Sequence, residues 1–192
     1  MNEGEPIDPG FGLSGLPHDP WILGAVVLAL GIAGVPMSPL WAFLGYRLGF
    51  LQGTLVGWTA AVLAAGMQFQ LLRSLGSRLP GWKKMVHREG KGLERLLRLR
   101  ADVTGLILAR LAWAVPFVAV NAWASASSMK VRIFLLVSAL AILPNIFGLA
   151  AIGASIADLG TTGGHSPWSL LGLLGSLSGL GLVVLFTARL VR

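Results

Sequence analysis

The sequence contains no cysteine, which removes disulfides, thiolate metal sites and cysteine nucleophiles from the chemistry open to it. Charge is also scarce: only 12% of its 192 residues are charged, against about 25% for an ordinary soluble domain. Residues 53–72, 133–157 and 167–188 hold no Asp, Glu, Lys or Arg. About 20 apolar residues are needed to cross the ~30 Å hydrocarbon core of a bilayer, and each of these stretches is that long. Together with a mean hydropathy of +0.76, they predict an all-α integral membrane protein. Catalytic signatures are missing as well. "GSLSG" at 175–179 lacks the central serine of a nucleophile elbow, and no metal-ligand spacing or convincing catalytic pair occurs elsewhere. Neither an enzyme nor a cofactor or metal site is expected.

What charge there is lies unevenly. The formal net charge is +7, and nine of the 15 Lys and Arg fall in residues 73–100. In a membrane protein such a cluster marks a cytoplasmic loop, and no nucleic-acid-reading module accompanies it. Within it, "KGLERLLRLR" sets Leu93, Leu96 and Leu97 on one helical face and Lys91, Glu94, Arg95 and Arg98 on the other. That pattern suits either an interfacial helix against anionic headgroups or a solvated basic loop. Residues 1–20 carry Glu3, Glu5, Asp8 and Asp19 and no Lys or Arg. They read as a disordered acidic tail rather than a cleavable signal, whose first segment is basic.

Two apolar segments are interrupted by proline. Residues 21–35 form a first short helix, and Pro36 and Pro39 then force a break. In the second half, "VTGLILARLAWAVPFVAVNAW" at 103–123 holds Arg110, Pro116 and Asn121 in an apolar run. Short or Pro-interrupted segments at matching places in two halves point to a transporter site. The expected fold is an inverted-repeat bundle with two opposed re-entrant helical hairpins, at about 36–51 and 104–127, plus spanning helices. The membrane domain covers 21–157, and residues 158–192 form an outer loop and a C-terminal spanning helix. This arrangement puts both termini, residues 73–100, Lys130 and Arg132 on the cytoplasmic side, in keeping with the positive-inside rule.

Glycines 45, 49, 53 and 57 recur every fourth position, followed by Ala61 and Ala65. Small residues at this spacing let helix backbones approach closely. The stripe drifts about 40° per step on a straight helix, so a break is expected near Leu51–Gly53. The ladder lacks the Lys-Ser/Thr ending of a phosphate-binding P-loop.

Arg110 is the leading site candidate. It lies eight residues past Asp102, about 12 Å deeper on a helix, and an intramembrane arginine suggests function. Its planar fork grips phosphate; alternatively it satisfies carbonyls freed by Pro116 or pairs with Asp102. Asn121 either satisfies the broken backbone or lines a path. Arg73 either marks the interface or joins the path, and Arg47 either snorkels to the far surface or takes part. Trp41 and Trp113 read as packing. The carboxylates available near the membrane for proton or ion coupling are Asp102 and Asp158.

These features, in this order, resemble the DedA family, also called VTT-domain or SNARE-associated Golgi protein-like membrane proteins. The likeness rests on Pro36 and Pro39, the spaced glycines, Phe69 and Arg73 in "FQLLR", then Arg110, Pro116 and Asn121, and finally Pro144 and Gly153 in "LPNIFGLAAIGA". Trp113 stands where the family tends to have a first proline. Several relatives carry a carboxylate in the first hairpin, whereas no Asp or Glu occurs between Asp19 and Glu89. The resemblance implies a lipid translocator, a flippase or scramblase for anionic phospholipid or a polyprenyl-phosphate carrier. Arg110 would neutralise the headgroup between the hairpins, along a path including Pro36, Pro39, Pro116, Asn121, Arg73 and Arg47. It also implies membrane lipids as partners and a bacterial cytoplasmic membrane. A proton- or ion-coupled small-solute transporter and a non-transporting membrane scaffold remain as alternatives.

Overall fold

A computed structural model describes residues 19–78, 103–111 and 115–161, together with Leu174. The acidic tail, the basic stretch beyond Arg78, Asp102, Trp113 and the apolar run 167–188 are outside the described residues, apart from Asp19, Pro20 and Leu174. The described residues form six helices: α1 (Pro20–Ala33), α2 (Met37–Leu48), α3 (Phe50–Arg78), α4 (Val103–Leu111), α5 (Phe117–Ala126) and α6 (Val131–Thr161).

Local chemistry sets the ends of α1. The Asp19 carboxylate accepts from Trp21 N at 2.8 Å and Ile22 N at 3.2 Å, and Pro20 stands at a first-turn position that needs no donor. At the other end Gly34 adopts φ +92°. Gly34 N bonds Gly31 O and Val35 N bonds Leu30 O, the left-handed termination that glycine favours. Pro36 then caps α2, and Pro39 sits in its first turn, so neither proline costs α2 a hydrogen bond.

This placement corrects the expected first hairpin. Residues 36–51 do not double back on themselves; Met37–Leu48 is one continuous helix. The reversal lies earlier, at Gly34–Pro36, and pairs α1 with α2. The second break comes at Gly49 (φ +76°), not at Leu51–Gly53. A Cβ on Gly49 would meet nothing within 4 Å, so backbone conformation rather than packing explains this glycine. With ψ at 173° Gly49 lies in a positive-φ region open almost only to glycine, so Gly49→Ala is expected to cost about 1–3 kcal/mol, read as a fall in the unfolding midpoint in detergent.

Pairs of contacts give the helix directions. Gly24 lies against Val56 and Gly31 against Ala64, so α1 runs parallel to α3. Gly53 lies against Gly45 and Gly57 against Trp41, so α2 runs antiparallel to α3. Trp58 Nε1 donates to Ala139 O at 2.8 Å and Arg73 Nη1 to Met129 O at 2.9 Å, which makes α3 and α6 antiparallel. The order short, short, long thus occurs twice. Each middle helix starts at a proline of nearly the same conformation, Pro36 (φ −55°, ψ 122°) and Pro116 (φ −58°, ψ 136°). Each also packs on the long helix of the other half, α2 on α6 and α5 on α3.

Two segments, Phe50–Gly76 in α3 and Val131–Asp158 in α6, are long and apolar enough to cross a bilayer. Their outer faces expose Leu51, Leu55, Leu63 and Met67 on α3 and Leu136, Leu140 and Ile156 on α6. Gln68, Arg110, Asn121 and Ser138 are buried instead. Apolar outside and polar inside is the reverse of a water-soluble surface and suits lipid as the solvent.

Candidate functional site

The two proline breaks meet. A Cβ on Gly34 would lie 3.1 Å from Val118, which brings the α1–α2 turn against the start of α5. A cavity of about 250 Å³ opens at this junction, lined by Gly34–Ser38 and Trp41 from one half and by Arg110, Val115–Val118 and Asn145 among others from the second. Neither Pro36 nor Pro116 has a side chain that caps the helix it begins. The first N–H groups of α2 and α5, and with them the positive ends of two helix dipoles, therefore lie beside the same space. Among the described residues, no acidic side chain lines it. Such a space favours a negatively charged occupant.

Arg110 reaches this wall from the last turn of α4, where a cation complements the helix C-terminus. It is 5% exposed. Its Nη2 donates to Asn121 Oδ1 and, at 3.3 Å, to Ser138 Oγ. The guanidinium carbon lies 4.6 Å from the centre of the Phe117 ring and 5.5 Å from that of Phe134. Asn145 Nδ2 donates to Arg110 O at 2.8 Å, satisfying a carbonyl that the end of α4 leaves open. Among the described residues, Arg110 has no acidic partner, and its Nε and Nη1 have no hydrogen bond. Two cation–π contacts contribute about 0.5–2 kcal/mol each, whereas a lone buried charge costs several kcal/mol. An anion would supply the missing compensation. The indole Nε1 of Trp41, buried beside the same cavity, is likewise without an acceptor among the described residues.

Of the residues singled out in the sequence, Arg110, Pro36 and Pro116 come together around the cavity, and Asn121 holds Arg110 from behind. Pro39 is exposed and outside the lining. Arg47 is half-buried in the last turn of α2, about 16 Å along that helix from Pro36. Arg73 is exposed, bonded to Met129 O and lying 5.3 Å from the centre of the Phe69 ring. Asp158 is half-buried near the end of α6, about 20 Å along the helix from Asn145. Of the ladder, Gly45 faces α6, Gly49 makes the turn, and Gly53 and Gly57 receive α2.

Gln68, Ser138, Asn145 and Phe117 belong to the site and were not singled out by the sequence reading. Gln68 carried a usable signal, as a buried polar residue in a chargeless stretch. Trp41 was read as packing, and it does touch Gly57, but it also lines the cavity.

The family model of the VTT domain matches residues 35–155, from the α1–α2 turn through both proline breaks into α6. No curated protein and no solved structure matches the chain. The matched span holds more than half of the chain and every cavity residue except Gly34, and so the chain belongs to the VTT-domain family, that of the DedA and SNARE-associated Golgi membrane proteins.

Proposed function

We propose that the protein moves an anionic lipid between leaflets, with the phosphate-bearing headgroup held at the cavity and the acyl chains left in the bilayer. One observation carries this reading: a buried arginine without an acidic partner among the described residues stands with two uncapped helix starts around one cavity. In this reading α1–α2 and α4–α5 are re-entrant hairpins that enter from opposite faces as an inverted repeat, and their turns meet near the midplane. Phospholipids with net negative charge and polyprenyl phosphates share the required chemistry, a phosphate without an attached cation. A proton-coupled mechanism receives less support, because among the described residues no carboxylate or histidine lines the cavity.

The test follows loss of fluorescent phosphatidylglycerol from the inner leaflet of liposomes holding the purified chain. Arg110→Ala is expected to fall to the protein-free rate. Arg110→Lys keeps the charge but loses the planar fork and is expected to transport about tenfold more slowly than wild type, a difference of about 1.4 kcal/mol. A folded, inserted Arg110→Ala that transports at the wild-type rate would overturn the reading. Full activity of Arg110→Lys would reduce the role of Arg110 to bare charge.

A further inference from the structure

Arginine only donates hydrogen bonds and backbone carbonyls only accept them. Between two such fixed ends lie the side-chain amides of Asn121 and Gln68. Arg110 Nη2 donates to Asn121 Oδ1, so Asn121 turns its Nδ2 the other way, to Gln68 Oε1. Gln68 then directs Nε2 at Gly31 O (2.7 Å) and Ile32 O (3.1 Å), the carbonyls at the end of α1. Reversing either amide sets donor against donor or acceptor against acceptor at two junctions. Gln68 is 3% exposed and Asn121 is fully buried, so bulk water offers no replacement bond.

We infer that Gln68 is a positioning residue: through Asn121 it fixes the Arg110 guanidinium and ties its orientation to the seating of the α1–α2 turn in the other half of the molecule. Gln68 has no hydrogen bond to Arg110. Loss of its amide nevertheless lets Asn121 rotate and present Nδ2 to a group that can only donate. Loss of Arg110 frees Asn121 in the same way, and Gln68 then loses the partner that orients it toward α1. The turn contributes Gly34, Pro36 and Met37 to the cavity wall, so a ligand that draws Arg110 from its place also loosens that wall. This last step rests on the anionic-lipid reading; the relay itself does not.

The absence of native cysteine allows single-thiol reporters. Met37→Cys puts a thiol at a position 2% exposed and packed against Gly31, where a maleimide reacts only when the turn lifts. Ala60→Cys, 4% exposed in the core shared by α1, α2, α3 and α6, reports general loosening. In ligand-free protein, Gln68→Met and Arg110→Met are each expected to speed Met37→Cys labelling by about fivefold or more. The double variant should stay within about twofold of either single one, with Ala60→Cys labelling unchanged. Rates that multiply in the double variant, an Arg110→Met rate equal to wild type, or an equal rise at Ala60→Cys would each overturn the relay.

Vesicles containing phosphatidate should then speed Met37→Cys labelling in wild type but not in Gln68→Met. No response in wild type, after the ligand-free cycle has come out as expected, counts against the anionic-lipid reading and leaves the relay standing.

Discussion

Gly153→Leu is expected to leave no stably folded protein. A Cβ on Gly153 would overlap the carbonyl oxygen of Ala42 and lie 2.8 Å from Tyr46 N. One on Gly45 would overlap the carbonyl of Ala150 from the opposite direction. The two glycines therefore mark a place where the backbones of α2 and α6 touch, and no side-chain rotation relieves the clash. Inserting even a methyl into a filled contact costs about 1–3 kcal/mol, the cost expected for Gly153→Ala. A leucine must separate the helices, exposing Leu44, Ile142 and Ile146, which are buried in the adjoining core. The added loss is comparable with a typical total stability of about 5–15 kcal/mol. The damage also reaches the site, because α2 carries Met37, Ser38 and Trp41 into the cavity wall. Thermal unfolding and size-exclusion profiles in detergent test this: a monodisperse Gly153→Leu with an unchanged midpoint would refute the close contact.

Asn121→Asp is expected to keep the fold and lose transport. Asparagine and aspartate are nearly the same size, so the helices stay packed. The carboxylate cannot donate to Gln68 Oε1, however, so Asn121→Asp also cuts the link to the α1–α2 turn, a loss that Asn121→Ala shares. The chemistry changes sharply, since an ionised carboxylate beside Arg110 gives the guanidinium the acidic partner that it lacks among the described residues. The paired site no longer favours a phosphate, and anion affinity should fall by about a hundredfold, near 2.7 kcal/mol. A merely structural Arg110 predicts the opposite, because a better partner would be tolerated or even helpful. Asn121→Ala separates the effects: it removes the anchor but leaves the charge, and should fall between wild type and Asn121→Asp. Measuring transport and unfolding midpoint on the same preparations decides the matter. A stable Asn121→Asp that moves anionic lipid at the wild-type rate would sink the proposal.

Much of this site was legible because proline and buried charge are costly wherever they occur. Pro36, Pro116, Arg110 and Asn121 each break the economy of an apolar helix, and all four meet around one cavity or one bond away from it. The helix ends were less legible. Gly34 serves as a left-handed cap, and nothing in "GIAGVPMSP" separates it from the packing glycines nearby, so the sequence alone places the first hairpin too late in the chain. Gly49 was hidden in the same way, as a turn residue at a packing interval. Gln68 and Asn145 needed the fold itself. The partners of Gln68 lie 37 and 53 residues away, and only the rotation of α3 against α1 and α5 makes an ordinary glutamine into a junction. The same holds for Asn145, 35 residues from the carbonyl that it satisfies.

The packing of each middle helix on the long helix of the other half has a consequence for biosynthesis. The Gly45 face of α2 seats on α6, which the ribosome delivers last among the described helices, while α5 seats on α3, made long before it. The first half therefore leaves the exit tunnel with an unfilled groove and must wait in the bilayer, its Gly45 surface bare, until Val131–Thr161 emerges. The Arg110 cavity takes its walls from both halves and does not exist until both are present. A chain cut between α3 and α4 would regain its shape only if both pieces were inserted into the same membrane, each completing the other.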